Sequence, residues 1–378
     1  YWSPFGQSVI ALGIFIGGLG VVTLATILGY AVSRQLGLTQ RMLATQETGT
    51  GAMGQISTLL KAVIATSLSM QAFLAIMFLP RFLTMGIDPA HAVWDAVFMA
   101  ISVFNNAGFV ILPGGLEPHV TDWWMLVPII LGTTVGAIGF PVIMDVAKNM
   151  WTPRRWRLHT KLTLSTYLIL AFIGALALAL TEWHNPATLG AVDTPSKILN
   201  AMLAGVNSRS SGISALDVGS MQSQTHFVQD ILMMIGGGSA STAGGVKVTT
   251  FAVLVLAVIA EARGDRDIET FGRRIPTSTV RLAVAVSLLG LALVAISVVA
   301  LLTMTDHSLD IILFETVSAF ATVGLSTGIT PNLPVAAKYV LIALMFAGRT
   351  GSMTVAAALA LRERSRVIRM PEEQPIIG

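Results

Sequence analysis

Three short glycine turns recur along this chain, each at the end of a mostly apolar segment of helix length. The turns occupy residues 104–109 (FNNAGF), 208–213 (SRSSGI) and 320–325 (FATVGL), and we name them turns A, B and C. Their glycines are Gly108, Gly212 and Gly324, so a unit slightly longer than one hundred residues is repeated. Repeated units fold alike and pack against one another, which restricts the fold more than any other feature of the chain.

The composition indicates that the repeated unit lies in a membrane. Of the 378 residues, 54% are hydrophobic and 11% are charged, whereas about 25% of the residues in an ordinary soluble domain are charged. Seven apolar stretches approach the ~20 residues that a helix needs to cross a bilayer; they are 8–30, 61–79, 123–146, 162–181, 227–260, 280–304 and 336–361. The stretch 227–260 is too long for one plain span and is interrupted by glycines at 236–238 and 244–245. We therefore expect an all-α membrane protein with one broken helix.

The basic residues predict the orientation of the chain. Most of the 23 lysines and arginines cluster between alternate spans, at 34–61, 148–161, 263–281 and 362–369. By the positive-inside rule these segments face the cytoplasm, so the three turns enter the membrane from the external side. The same bias accounts for the net charge of +3 without nucleic acid as a partner. The absence of cysteine excludes disulfide and thiol chemistry.

The turns have the chemistry of a cation filter. The segments that lead into them are too short to span a bilayer, and a helix that stops inside the membrane carries a partial negative charge at its C-terminal end. Non-helical backbone at that depth is tolerated where it is buried in protein or lines a water-filled cavity. A ring of backbone carbonyls can replace the hydration shell of potassium, and the turns contain no acidic residue. The predicted filter residues are Asn106, Ala107, Gly108, Ser210, Ser211, Gly212, Thr322, Val323 and Gly324.

Other interpretations of the glycines explain less of the pattern. Small residues also permit close helix packing in membranes, but packing does not require three turns in register. A phosphate-binding loop needs lysine directly after the last glycine of its motif, whereas Lys247 follows Val246. A membrane enzyme would need acids or histidines that converge at one depth, and the sequence has no recognisable set of that kind. We therefore do not expect an enzyme.

Several motifs occur in the order and spacing of a known family. They are WSPFGQ at 2–7, IGGLG at 16–20, turn A, GGGSASTAGGVKVTT at 236–250, SAFATVGLS at 318–326 and GRTG at 348–351. With these motifs the chain resembles the Trk/Ktr/HKT superfamily of potassium and sodium transporters, and specifically the bacterial Ktr/Trk potassium-uptake membrane subunits. Turn B departs from the family pattern, because RSSG at 209–212 stands where the family usually has RTAG.

The resemblance implies four helix/re-entrant pore helix/helix units around one central pore. On this pattern residues 1–40 hold the second helix of a truncated first unit, 55–160 form unit 2, 161–275 form unit 3 with the broken helix, and 276–378 form unit 4 with a cytoplasmic tail. The first filter turn would then precede Tyr1. In the plant HKT branch a serine in that first turn accompanies sodium preference. Glycine in turns A, B and C favours potassium, and a sodium-selective or non-selective transporter is the alternative.

By the same resemblance, the broken helix holds an intramembrane gating loop below the filter. The predicted gate residues are Gly236, Gly237, Gly238, Ser239, Thr242, Gly244, Gly245, Lys247 and Arg349. A charge at the bilayer centre costs at least ~2.5 kcal/mol on insertion scales. We therefore expect Arg349 to project below the filter and to form the ion barrier with the loop. Lys247 is expected to snorkel to the cytoplasmic edge, and Arg209 to brace the pore wall against an acid such as Glu315.

The family also implies the ions and partners. Potassium would be the transported ion, bound only at the filter residues, with sodium considered as a coupling or activating ion. The protein would be a multi-pass protein of the plasma membrane and a homodimer. It would pair with a cytosolic nucleotide-binding regulatory ring of the RCK type, for which the basic loops and the tail at 362–369 are the expected contacts.

Overall fold

A computed structural model describes residues 2–35 and 52–351 of the chain. Its helices follow a repeating order in which a long helix leads to a short helix, a turn and a second apolar segment. The first helices are α1 (Pro4–Gln35), α2 (Ala52–Thr84), α3 (Pro89–Phe104), α4 (Trp123–Ile138) and α5 (Phe140–Lys148). The next unit contains α6 (Leu158–Glu182), α7 (Thr194–Asn207), α8 (Ser223–Met234) and α9 (Val248–Arg263). The last contains α10 (Thr277–Met304), α11 (Leu309–Ala321) and α12 (Val335–Phe346), which continues into a π-helical turn (Ala347–Gly351).

The three short helices α3, α7 and α11 end at turns A, B and C. They contain 16, 14 and 13 residues, and at 1.5 Å per residue each is shorter than the ~30 Å hydrocarbon core of a bilayer. The start of α3 is fixed by local chemistry, because Asp88 accepts a hydrogen bond from the backbone of Ala90 at 3.1 Å and Pro89 occupies the first helical position. The short helices are therefore re-entrant in length, as the sequence predicts.

Each short helix is buried against the helices of its own repeat. Phe98 and Phe104 of α3 are almost fully buried, and the first core cluster joins Phe104 to Phe78 of α2 and Met125 of α4. α1 lies beside the same helix, since Trp94 of α3 donates a 2.7 Å hydrogen bond to Gln7. A second core cluster surrounds α11 in the same way. This packing holds the C-terminal ends of the short helices at the centre of the bundle.

The chain spans the membrane several times. Among the described residues, three helical segments are long and apolar enough to cross a membrane, namely Leu60–Thr84, Leu158–Glu182 and Thr277–Met304. The bent pair α4–α5 adds a fourth crossing if it forms one span. The broken helix is confirmed, because α8 ends at Met234 and α9 begins only at Val248. The predicted span at 336–361 is described only as far as residue 351, and the basic tail at 362–369 lies outside the described residues.

Two features differ from the sequence-based expectation. The predicted span 123–146 is not one continuous helix, because α4 and α5 meet at an angle of 96°. Gly139 joins them with φ of +92°, a conformation that side-chain-bearing residues rarely adopt. The charged segment after α9 is not a simple loop either. It folds into a two-stranded antiparallel hairpin of β1 (Ile268–Thr270) and β2 (Arg273–Ile275).

Candidate functional site

Turns A and C share one backbone geometry. In turn A, the backbone N–H of Ala107 donates to Ser102 O at 2.9 Å, and in turn C that of Val323 donates to Ser318 O at 2.9 Å. Ser102 and Ser318 lie at the same place in their repeats, six residues before the turn glycine. Both turns also place a non-glycine residue in the left-handed region, Asn106 with φ of +52° and Thr322 with φ of +51°. The repeat seen in the sequence is therefore a repeat of conformation.

Turn B is built differently. The backbone N–H of Gly212 donates to Asn207 O, and the side-chain amide of Asn207 donates to the carbonyl of Ile213. Asn207 at the end of α7 thus takes the role of Ser318 in turn C, whose hydroxyl donates to the carbonyl of Leu325 at 2.6 Å. Ser102 Oγ in turn A has no hydrogen-bond partner among the described residues. Gly212 still has a positive φ of +62°, beside +78° for Gly108 and +94° for Gly324.

The three turns converge on one another through their glycines. A Cβ atom added to Gly108 would lie 2.5 Å from the carbonyl oxygen of Ser211, and one added to Gly212 would overlap the carbonyl oxygen of Val323. The nearest atom to such a Cβ on Gly324 is the Cα of Gly212, at 3.9 Å. Backbone carbonyls from adjacent turns therefore lie directly against the neighbouring glycines, and a side chain on Gly108 or Gly212 would occupy the space next to those oxygens.

The polar groups of this centre are neutral and buried. Asn106 is 2% exposed, and Ser210 and Ser211 are fully buried. Asn106 Oδ1, the hydroxyls of both serines and Thr322 Oγ1 have no hydrogen-bond partner among the described residues. Buried oxygens of this kind call for water or a cation. Among the described residues no group of three or more His, Cys, Asp or Glu side chains could hold a metal ion. The buried donors of the turns are neutral oxygens, the kind that coordinates alkali cations.

Two buried acids, Glu315 and Glu182, accept hydrogen bonds from loop residues. The sequence did not indicate this role for them. Glu315 of α11 accepts hydrogen bonds from Ser326 Oγ at 2.7 Å, the Thr327 backbone at 2.8 Å and Thr330 Oγ1 at 2.8 Å. Glu182 at the end of α6 accepts from the Gln222 backbone at 2.8 Å. Glu315 thereby ties α11 to the loop that follows it, and Glu182 ties the end of α6 to the start of α8. The run of serine and threonine after turn C was the signal in the sequence.

The predicted contact between Arg209 and Glu315 is wrong. Glu315 binds the segment 326–330, whereas the guanidinium of Arg209 lies over the ring of Tyr167 at 5.3 Å. Arg209 is fully buried, and none of its side-chain nitrogens has a hydrogen-bond partner among the described residues. A guanidinium stacked on an aromatic face is a favourable arrangement, and it places the charge behind turn B.

The segment between α8 and α9 forms a closed loop, which we call the central loop (235–247). Its two ends are joined, because the backbone N–H of Gly236 donates to Val246 O at 2.7 Å and that of Val246 donates to Met234 O at 3.3 Å. Near the α9 end, Lys247 Nζ donates to Ala243 O at 2.6 Å. Lys247 is only 8% exposed. The expectation that Lys247 snorkels to the cytoplasmic edge is therefore wrong; its charge fastens the loop from within.

The break between α4 and α5 holds one side of the central loop. Gly238 N donates to Ala137 O at 2.8 Å, and Phe140 N donates to Ala240 O at 3.3 Å. The two backbones approach so closely that a Cβ atom on Gly139 would lie 2.6 Å from Ser239 O. The 96° bend frees backbone groups of α4 and α5 from their helical partners, and those groups bind the loop.

The central loop also touches turns A and C. Asn106 Nδ2 donates to Thr242 Oγ1 at 2.7 Å, and a Cβ atom on Gly244 would overlap Thr322 Oγ1. A Cβ atom on Gly245 would lie 3.3 Å from the Cα and Cβ atoms of Ala321. The loop thus reaches from turn A to turn C.

Arg349 reaches the same loop from the last helix. Its Nη1 donates to the carbonyl of Thr242 at 2.5 Å. Arg349 lies in the π-helical turn after α12, where the chain passes so close to turn C that a Cβ atom on Gly348 would overlap Phe320 O. The structure therefore brings the predicted filter and gate residues into one contiguous site, with Thr242 touching both Asn106 and Arg349. Their roles in selecting and blocking ions stay predictions.

Re-entrant helices that point their C-terminal ends at a shared centre of neutral carbonyls define an ion-transporting membrane protein. The chain belongs to the TrkH family of cation transport proteins, whose family model matches residues 2–368. The members of this family are ion transporters and not enzymes.

Named relatives agree with this assignment. The chain is 38% identical over 381 residues to the Ktr system potassium uptake protein B of Bacillus subtilis (strain 168), with 100% of this chain and 84% of the relative covered. It is 33% identical to the protein of the same name from Vibrio alginolyticus, with 96% and 80% covered. It is 30% identical to the potassium/sodium uptake protein NtpJ of Enterococcus hirae, with 100% and 84% covered.

The fold has a solved counterpart. The crystal structure of the potassium transporter TrkH from Vibrio parahaemolyticus matches with a TM-score of 0.70, at 17% sequence identity, and covers 94% of this chain and 73% of that one. At this level of identity the likeness concerns the fold. It confirms the expected all-α membrane architecture.

Proposed function

We propose that this protein takes up potassium across the plasma membrane through a filter of backbone carbonyls in turns A, B and C. One observation carries the proposal: the three turns converge so tightly that carbonyl oxygens of Ser211 and Val323 border the neighbouring turn glycines, and the turns contain no acidic side chain. Carbonyl dipoles can replace the water around potassium and still release the ion. The names of the relatives in Bacillus and Vibrio support potassium as the ion.

The central loop is the gate in this proposal. It reaches from turn A to turn C, so an ion that leaves the filter toward the cytoplasm meets the loop first. Arg349 adds a positive charge that is bound to the loop through Thr242 O. A cation passing this point would be repelled by the guanidinium until the loop and Arg349 separate. Release of the loop therefore opens the path and removes the barrier together.

The assembly proposed for the protein follows the family resemblance. A homodimer, in which each subunit has its own pore, would bind a cytosolic nucleotide-binding ring of the RCK type. Exposed basic residues on the predicted cytoplasmic side support such a contact, among them Arg154, Arg155 and Arg273. The unit boundaries 55–160, 161–275 and 276–378 belong to the same proposal.

The test is potassium uptake by the protein from the complete gene. A bacterium that lacks its own potassium uptake should grow at limiting potassium when it expresses the protein, and purified protein in vesicles should carry potassium flux well above sodium flux. Equal flux of the two ions would contradict the potassium filter and favour the non-selective alternative.

The gate is tested in the same vesicles with Arg349→Ala. We expect a higher potassium flux in the absence of any activating partner, because the loop loses both its hydrogen bond and the positive barrier. Arg349→Lys is the control, since it keeps the charge but loses the planar donor fork. If Arg349→Ala leaves the flux and its regulation unchanged, Arg349 is not part of the barrier.

A further inference from the structure

We propose that the hydrogen bond between Asn106 and Thr242 couples the position of the central loop to the presence of potassium in turn A. Asn106 is then a positioning residue for both the filter and the gate. The inference rests on the proposed function, and it adds a direct link between two parts that sequence and family resemblance treat separately.

The bond joins two buried side chains that have few other options. Asn106 and Thr242 are 2% and 1% exposed, and Asn106 Nδ2 lies 2.7 Å from Thr242 Oγ1. The Thr242 hydroxyl can donate one hydrogen bond and accept another. It is 3.0 Å from Gly136 O, which can accept its proton, so its lone pairs are left to receive the Asn106 amide. If the bond broke, the buried amide of Asn106 would lose its partner, which is costly, whereas the Thr242 hydroxyl would keep its hydrogen bond to Gly136 O.

The conformation of turn A makes Asn106 sensitive to this bond. Its φ of +52° lies in the left-handed region, which asparagine tolerates better than most residues but still disfavours. The following residues, Ala107 and Gly108, are predicted to present their carbonyls to the ion. A brace on the Asn106 side chain therefore stabilises the backbone shape that a bound potassium ion needs.

Thr242 is equally tied to the gate. Its carbonyl accepts the hydrogen bond from Arg349 at 2.5 Å, and its backbone N–H donates to Gly136 O at 3.4 Å. Displacement of the loop from this position breaks the contact with Arg349 and the contact with Asn106 in one movement. Because coupling between two sites is reciprocal, a loop in place favours potassium in turn A, and potassium in turn A favours the loop in place.

Turn A differs from turns B and C at the position two residues before the glycine, where Asn106 donates a side-chain hydrogen bond to the central loop. Thr322 occupies the equivalent position in turn C and abuts Gly244, but its hydroxyl has no hydrogen-bond partner in residues 2–35 and 52–351. Ser210, the equivalent in turn B, also has an unpartnered hydroxyl within the same ranges. The coupling is therefore expected to run through one turn and not through the filter as a whole.

The experiment measures access to the loop and not transport alone. The chain has no cysteine, so Ala240→Cys in the central loop provides a single label site. The rate of maleimide labelling from the cytoplasmic side is compared in vesicles that contain either potassium or N-methylglucamine. We expect potassium to slow labelling about fivefold or more, which is the lower end of typical couplings between sites.

Asn106→Gly on this background is the decisive variant. Glycine keeps the left-handed backbone at position 106 and removes only the side-chain amide, so we expect the labelling rate to become the same in both solutions. Thr242→Val removes the other partner and should have the same effect even if Asn106→Gly folds poorly. The double variant should lose no more of the potassium effect than either single one, because both remove the same bond.

Thr249→Val is the matched control. Thr249 Oγ1 lies 3.0 Å from Ser239 Oγ, so this change loosens the base of the loop without touching a turn. It should alter labelling equally in both solutions. If Asn106→Gly and Thr242→Val retain the potassium effect, or if the parent shows none, the coupling is overturned. Potassium flux is measured in the same vesicles to distinguish failure of the coupling from failure of the proposed function. Absence of flux in the unsubstituted protein overturns the proposed function itself.

Discussion

Gly212 is the residue where the fit between neighbouring turns leaves least room. It has a φ of +62°, and a Cβ atom at this position would overlap Val323 O and lie 2.7 Å from the carbonyl carbon of Gly324. Gly328, a few residues beyond turn C, has a φ of +90° but nothing within 4 Å of such an atom. A side chain at either glycine would strain a left-handed backbone, but only one at Gly212 would also displace a carbonyl. Comparing substitutions at Gly212 and Gly328 therefore separates these two costs.

Gly212→Ala is expected to lower potassium flux by at least about tenfold, which corresponds to a barrier increase of roughly 1.4 kcal/mol. The added methyl group would push Val323 O out of line with the other turns. Gly328→Ala carries the backbone penalty alone and should leave flux within about twofold while lowering stability by ~1 kcal/mol. Flux of purified, equally folded protein in vesicles measures both. A similar loss in the two variants would mean that backbone strain, and not the carbonyl, is responsible.

At the scale of single residues, the sequence predicted the turn glycines but not their partners. Gly108, Gly212 and Gly324 stand out because a repeat keeps them in register. The contact between Asn106 and Thr242 joins positions 136 residues apart, and a local sequence pattern cannot predict a contact between residues so far apart in the chain. Lys247 was misjudged for a related reason, since snorkelling assumes a free path to the interface and the loop folds back over this side chain.

At the scale of elements, the contrast between the two helix breaks is informative. The break at 235–247 was predicted from clustered glycines and excess length, and it is present. The bend between α4 and α5 was not predicted, because Gly139 lies in an apolar stretch that also contains Gly132, Gly136 and Pro141, and membrane helices tolerate isolated glycine and proline. The bend exists because its exposed backbone groups bind the central loop, which is a tertiary cause.

Gly139→Ala should therefore act on the proposed gate. A methyl group at this position would press on Ser239 O and disfavour the φ of +92°. The central loop should therefore lose its backbone hydrogen bonds to α4 and α5. We expect a higher potassium flux without an activating partner, measured in vesicles. Gly264→Ala at the end of α9 is the control, because its φ is +73° with nothing within 4 Å. Unaltered flux in Gly139→Ala would show that the bend does not hold the loop.

At the scale of the whole molecule, the architecture could be predicted more fully than the site. Apolar length, charge bias and the repeat together indicated the re-entrant helices and the membrane setting. The hairpin of β1 and β2 was not foreseen, because its strands are only three residues long and lie in a charged segment between two apolar helices. Side-chain networks such as that of Glu315 depend on how loops fold back, which composition does not encode.

The orientation of the molecule is directly testable because the chain has no cysteine. Phe271 of the hairpin is 53% exposed and lies near Lys161 at the beginning of α6, while Ala187 is exposed beyond the other end of α6. In intact cells, an impermeant maleimide should label Ala187→Cys and should label Phe271→Cys only after permeabilisation. The reverse pattern would overturn the assignment of the basic segments to the cytoplasm.

The π-helical turn Ala347–Gly351 determines the direction in which the side chain of Arg349, the proposed barrier, points. A π turn accommodates one residue more than an α turn of the same rise, and each residue of an α-helix turns the chain by about 100°. The direction of Arg349 is therefore fixed by the number of residues before it and not only by its own identity. Deletion of Ala347 or Gly348, which precede Arg349 in this turn, would rotate the guanidinium away from Thr242 while every side chain in the loop stayed the same. The proposed gate is thus specified by the number of residues in this turn as well as by their chemistry.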